Sequence, residues 1–411
     1  MGVAKVTLNG TTLMDVTSKT VTASTMLSGT TALDKAGNSI TGTYVNGGNT
    51  VFQDIYERNY SAITSSVIES FFNTQSYIPS YAFYSWKASS LKAVVNSSTI
   101  KRIGECAFYG AEYITTAKML SATTINHHAF ANASRLYTVS FSNCTSIGSY
   151  AFGSCTNIRA IGSQCFPLVT FIDSNAFHNC NTISYASFPA LISISSSAFY
   201  SCTSLISFSA PLVTHIGQCA FQSCAKLEYA DFPLAPNITA NVFSGCSALS
   251  MANFPSATYI GPGAFSGCTL LTSVTAPLVS LIQNNAFCNC SSLSYLYFSN
   301  LKTLDFYALE HATGLKTLIL SGPSLLIKYY AFSNCTALES IYLLYSTVPS
   351  FNTDTSPFPY TPIANSSYLG YYGSIYVPSS LYDSYLTASV WKGFSSRFVS
   401  LTDAEIEALN L

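Results

Sequence analysis

Residues 194–216 read ISSSAFYSCTSLISFSAPLVTHI, and their spacing decides the architecture. Ile194 opens the stretch, Ala198 and Phe199 follow, and Cys202 and Leu205 come three and six residues after the Phe. Phe208 and Ala210 then alternate with Ser207 and Ser209. A period of two is the pattern of a half-buried strand. Pro211 ends that strand, because proline has no N–H for a ladder. Leu212 and Val213 are read as returning toward a core, and Ile216 begins the pattern again.

The pattern recurs along most of the chain. Its Phe column runs through Phe83, Phe108, Phe130, Phe152, Phe177, Phe199, Phe221, Phe243, Phe265, Phe287 and Phe332, with Leu309 in the one gap. The steps are 25, 22, 22, 25, then 22 six times, then 23. An Ile or Leu column precedes each by five residues, from Ile78 to Ile327. A leucine column includes Leu136, Leu205, Leu227, Leu249, Leu271, Leu293, Leu315 and Leu338. Pro189, Pro211, Pro233, Pro255 and Pro277 form a proline column. A fixed period of this length signals stacked supersecondary units, none of which can bury its apolar side alone. The expectation is a β-rich repeat solenoid of about twelve coils.

These motifs resemble the BspA-like leucine-rich repeats of bacterial surface proteins. The consensus runs Ala-Phe, Cys three residues on, Leu three further, an alternating strand, then Pro. AFYSCTSLISFSAP (198–211) and AFSGCTLLTSVTAP (264–277) follow it closely, and the resemblance spans about residues 75–345. It implies a curved, right-handed leucine-rich-repeat solenoid with one sheet face, used mainly for binding.

Only 9% of residues are charged and the formal net charge is −1, which excludes the basic stripe that nucleic acid requires. A surface built instead from Ser, Thr, Asn and Tyr points to uncharged partners, a glycan or another protein surface. No apolar run is long enough to span a bilayer, so membrane insertion is not expected. Of the 13 cysteines, eight (Cys155, Cys180, Cys202, Cys224, Cys246, Cys268, Cys290 and Cys335) share one repeat position. Their spacing is not that of a metal site. They are read as a buried ladder of small apolar thiols, with adjacent-coil disulfides as the alternative.

Four regions are expected: an attachment module at 1–43, a linker at 44–50, the capped solenoid at 51–345, and a C-terminal insertion and cap at 346–411. In the first, Val6 and Leu8 before Asn9-Gly10 read as a strand into a tight turn, and residues 34–38 as a second turn. Thr22 to Leu27 reads as a short helix. The segment carrying Asp15, Thr17, Leu27, Gly29, Asp34, Gly37, Ile40 and Gly42 resembles a small module at the start of phage tail-fibre and other virion appendage proteins. In the C-terminal region, 375–378 reads as a final strand, 379–394 as a capping helix, and Thr402-x-x-Glu405 as a capping box.

Catalytic motifs are absent: no zinc-protease helix motif, phosphate loop, nucleotide fingerprint, Gly-x-Ser-x-Gly or convincing carboxylate pair occurs. His127, His128, His178, His215 and His311 fall at different repeat positions. No enzyme activity, metal or cofactor is expected. The outward positions of the strand face supply the candidates instead, with Tyr185, Tyr229, Asp231, Asn253, Tyr295, Tyr297 and Tyr342 as expected ligand contacts on a flat hydroxyl sheet. The same polar sheet is also suited to packing in a homo-oligomer, a trimer among the options.

Three functions fit this reading. The first and preferred one is a virion appendage, a tail or head fibre, assembled in the host cytoplasm. It joins virion structural proteins through residues 1–43 and binds a host surface receptor through the solenoid. The start MGVAKVTLNG lacks a secretory core, which agrees with that expectation. The second is a bacterial cell-surface or secreted adhesin binding host protein or glycan. The third is a structural scaffold or capsid-decorating protein.

Overall fold

In the computed structural model, the described residues are the strands Ala4–Leu8, Thr11–Val16, Thr31–Leu33 and Ser39–Thr41, then residues 72–86, 93–351, 356–364 and 372–410. The chain divides into two compact units, Met1–Phe71 and Phe72–Leu411. In the first, the four strands form an antiparallel sheet in the order Thr11–Val16, Ala4–Leu8, Thr31–Leu33, Ser39–Thr41. Leu8 faces Thr11 and Leu33 faces Ser39, the registers of two hairpins. The expected helix at 22–27 lies outside the described residues, as do Thr17, Leu27, Gly29, Asp34, Gly37 and Gly42.

The second unit is a parallel β-solenoid. Each coil contributes a short back strand ending on the Ile column and a front strand carrying the alternating stretch. Among the described residues there are 13 back strands and 14 front strands, so the stack is about two coils longer than the period alone implies. The extra windings come from the C-terminal region. Phe358 continues the Phe column, its ring 5.0 Å from that of Phe332. Ser374–Pro378 adds to the front ladder, and Phe398–Leu401 adds once more. The sequence hides these coils because an insertion and short 3-10 turns obscure the period.

The core is the stack of Phe rings. Successive rings lie 4.9–5.6 Å apart with planes within 10° of parallel. That is the separation of offset-stacked aromatics. The Phe N–H donates to the carbonyl of the Ala one coil later, as from Phe130 to Ala151 and from Phe199 to Ala220. Residues two before and two after each Phe adopt positive φ, for example Asn175 and Asn179, or Gly263 and Gly267. Asn, Ser and Gly dominate these positions, because Gly has no Cβ penalty and short polar side chains tolerate the conformation.

All 13 cysteines are free thiols. The eight ladder thiols are more than apolar filler. Each Sγ–H donates to the carbonyl of the preceding coil's column residue, as from Cys224 to Phe199 at 3.2 Å and from Cys180 to Phe152 at 3.0 Å. Burial pushes the Cys180 thiol up to about 12.

Proline bounds the front strands that precede it. Front strands before a proline stop two residues short of it: Tyr185–Ser187, Ser207–Ser209, Tyr229–Asp231, Met251–Asn253 and Ser273–Thr275. Where Ser299, Ser321 and Leu344 replace proline, the strands lengthen to Tyr295–Phe298, Thr317–Gly322 and Ser340–Tyr345. The back ladder breaks between His215–Ile216 and Asn237–Ile238 for a related reason. Thr214 and Thr258 each donate N–H to the preceding coil, to Ile192 and Pro236 respectively. Pro236 occupies the position between them and has no proton to give.

The C-terminal end is closed by a turn at Ser379–Leu381, a helix at Tyr382–Thr387 and a turn at Lys392–Arg397, rather than by one continuous helix. Trp391 is fully buried there, and its Nε1 donates to the Pro349 carbonyl at 2.7 Å. The Thr402 capping box forms as expected and opens the helix Asp403–Glu407. It holds the Glu405 carboxyl below its ordinary range.

Candidate binding face

The front face is not one flat sheet. Its ladder is divided into segments of three, three, three and five strands. Two of the three breaks share a position in the repeat. The core-facing residue three positions after the start of the front strand is Phe188, Ala210, Phe232, Phe254, Ala276 and Phe298 in successive coils. A break follows each coil that carries Ala here, after Ser207–Ser209 and after Ser273–Thr275, whereas the strand before each Ala coil pairs with it in full.

The outward columns follow the paired registers. One runs Asp231, Asn253, Thr275, and resumes after the break as Tyr297, Ile319, Tyr342, Tyr376. The other runs Tyr229, Met251, Ser273, and resumes as Tyr295, Thr317, Ser340. Asn253 Nδ2 donates to Asp231 Oδ1 at 2.8 Å, so these two contact candidates satisfy each other. Tyr342 stacks on Tyr376, with centroids 4.3 Å apart. Tyr376 was not singled out from sequence, although its register with Tyr342 follows once Ser374–Pro378 is read as another coil. Tyr185 is exposed but lies in a different ladder segment from the others.

Not every alternate position of the strands is open to solvent, and one residue read as inward is. Ile319 is only 4% exposed, because Tyr297 and Tyr342 flank it in the column. Ser187 is also buried. Leu212, expected to turn inward, is 45% exposed, and Val213 alone enters the core. Leu168, Leu234 and Leu278 share the exposed position and form a ridge beside the front strands.

Tyr295 and Tyr297 are brought together at the second Ala-associated break. With Ser273 and Thr275 across the gap they line a cleft of about 290 Å³, whose floor includes Val274 and Leu296. Burial raises the Tyr295 hydroxyl above the usual phenol range, reinforced by neighbouring Tyr297. Tyr342 is raised by burial, then by Tyr376.

Histidines do not form a site, but two of them join an aromatic ribbon along the turns that sequence reasoning missed. His128 stacks on Tyr150 at 4.9 Å, and His178 on Tyr200 at 5.1 Å. Burial lowers the His178 imidazole. No group of three potential metal ligands occurs among the described residues. No helix among them is long and apolar enough to cross a membrane.

Coils of one parallel front strand, one back strand and a conserved-length turn, packed on leucine and phenylalanine columns, define a leucine-rich-repeat solenoid. The BspA type leucine rich repeat region model matches in six copies over residues 53–183, 170–294 and 236–355, and the chain belongs to that family. No curated protein sequence matches it. Among solved structures, a leucine-rich repeat protein from Bacteroides ovatus is 19% identical over 62% of this chain and 82% of its own, with a TM-score of 0.38. A leucine rich cell surface protein from Faecalibacterium prausnitzii is 21% identical over 67% and 88%, with a TM-score of 0.33. The pneumococcal vaccine antigen PcpA is 16% identical over 80% and 84%, with a TM-score of 0.33.

Proposed function

We propose that the chain is a surface-recognition protein of adhesin type, displayed at a cell surface, whose front face meets host protein or glycan. The observation that carries this reading is chemical. The front columns present tyrosines, hydroxyls and one amide–carboxylate pair on a rigid stack, with almost no net charge. Tyrosine provides contact area at low entropic cost, and short hydroxyl side chains provide adaptable hydrogen bonds. Membership of the repeat family supports a binding role over an enzymatic one. No catalysis is part of this proposal.

The test uses the labelled full chain and a panel of intact cells. Lys at Ser207 and Tyr229, both exposed on the front face, is expected to abolish adsorption. Lys at Ser193 and Tyr259 on the back ladder is expected to leave it intact. Equal effects of the two pairs, or no adsorption by the unaltered chain, would overturn the reading.

A second reading is the virion appendage, favoured by one observation. The segment with Asp15, Thr17, Leu27, Gly29, Asp34, Gly37, Ile40 and Gly42 resembles a virion attachment module, and residues 1–71 form a unit of their own. Here Asp15 lies on the strand Thr11–Val16 opposite Lys5, and Ile40 opposite Ala32. Deleting 1–43 would then prevent incorporation into particles, with the solenoid's adsorption retained. Recovery of the chain in cell envelopes and not in purified particles would exclude this reading.

A further inference from the structure

The break between Ser273–Thr275 and Tyr295–Phe298 leaves a cleft whose two walls differ in kind. Resting on the reading that the front face is the contact surface, we propose that this cleft binds one ring of an uncharged carbohydrate. One wall is aromatic. Tyr295 and Tyr297 sit two residues apart on one strand, so their rings leave the same face of the sheet. Tyr295 is 46% exposed, which leaves a ring face available for the C–H surface of a sugar.

The opposite wall is hydroxylic. Ser273 and Thr275 are exposed, and neither hydroxyl is hydrogen-bonded to another of the described residues. Their neighbours are different. Ser250 donates to the Glu228 carbonyl at 3.0 Å, Thr272 to Ser250 at 2.9 Å, and Thr258 to Pro236 at 3.2 Å. Within the cleft lining the Thr272 hydroxyl is thus consumed by the preceding coil, while those of Ser273 and Thr275, outward on the strand, are left to accept and donate. The Tyr295 phenol, protonated at neutral pH, adds a donor.

Charge and size narrow the ligand. No lining residue is Lys, Arg, His, Asp or Glu, so nothing there pairs with a sialic carboxylate or a sulfate. A volume of about 290 Å³ stands at the low end of small-molecule pockets, about 300–1,000 Å³, which suits a single ring of a longer chain.

The experiment probes the full chain with an array of neutral, sialylated and sulfated oligosaccharides, and confirms hits by saturation-transfer NMR. The unaltered chain is expected to retain a subset of the neutral oligosaccharides. Tyr295→Ala and Tyr297→Ala each lower that retention at least tenfold. Tyr295→Phe stays within about threefold, because the stacking surface survives. His215→Ala on the back ladder changes nothing, and circular dichroism checks that each variant is folded. Preference for sialylated or sulfated glycans, or neutral binding unmoved by both alanine variants, would overturn the proposal. If no glycan is retained while cells are still bound through the front face, the carbohydrate assignment fails and the recognition function stands. If cells are not bound either, both fail.

Discussion

The coils before Pro277 and the coils after it share a core and differ in their face. In the coils just before it, from Tyr229 to Thr275, each front strand has three residues and stops two short of a proline, and the outward column reads Asp231, Asn253, Thr275. After it, strands reach four to six residues, and the same column reads Tyr297, Ile319, Tyr342, Tyr376. The loss of proline thus coincides with a change of this one column from polar to mostly aromatic, and the candidate cleft lies at the junction. A repeat frame fixes where side chains stand, and the proline column changes how far each front strand runs.

The two halves rely on the same trunk, which a deletion in the Phe column would expose. Phe243→Ala, between Phe221 and Phe265 at 5.6 Å each, should cost about 3–5 kcal/mol by equilibrium denaturation. Leu309→Ala, at the one aliphatic rung, should cost about 2–5 kcal/mol and leave the flanking Phe287 and Phe332 rings unstacked by any neighbour on that side. A loss under about 1 kcal/mol at Phe243 would mean that the ring stack is not the trunk.

Alkaline pH should separate the halves. Coils from Cys155 to Cys290 each carry a ladder thiol, whereas Ala312 interrupts the column before Cys335. Burial holds the folded Cys180 thiol at about 12, above its unfolded value near 9. Its stabilising contribution is therefore complete below about pH 9. Above that, the unfolded chain loses the proton first, and stability falls by about 1.4 kcal/mol per pH unit per such thiol until the folded thiol also ionises. Hydrogen exchange at pH 10 should show the coils from Cys155 to Cys290 opening before the Ala312 coil, which carries no ladder thiol. Uniform opening would contradict the assignment.

Exchanging the proline rule tests the difference itself. Ser321→Pro places a residue without N–H inside the strand Thr317–Gly322 and should cost about 1–3 kcal/mol. Pro255→Ser, beyond the end of Met251–Asn253, should change stability by less than about 1 kcal/mol. Comparable costs at both sites would break the comparison.

Much of the fold was legible because stacking turns a period into columns. Ile194, Phe199, Cys202 and Leu205 are all buried, as their spacing implies. Leu212 was misread because apolar character was taken for burial, and a leucine after Pro at a coil corner has no core to enter. Ile319 shows the opposite case, since its burial at an outward position comes from tyrosines 22 and 23 residues away in the column. The extra coil at Phe358 was hidden by an insertion. The cleft was the least legible feature: Tyr295 and Tyr297 were visible, but the break beside them lies between two coils whose sequences keep the repeat period. The thiol-to-carbonyl bonds were likewise invisible, because a period shows that cysteines align and not what they donate to.

Native-state amide exchange resolved along the front strands examines the junction most directly. A peptide covering Tyr295–Phe298 should contain fast-exchanging amides on the side facing Ser273–Thr275. Peptides covering Met251–Asn253 and Thr317–Gly322, paired on both sides, should be protected throughout. Equal protection in all three would mean that hydrogen bonds run unbroken past Pro277, and that no open seam exists there for a ligand to enter.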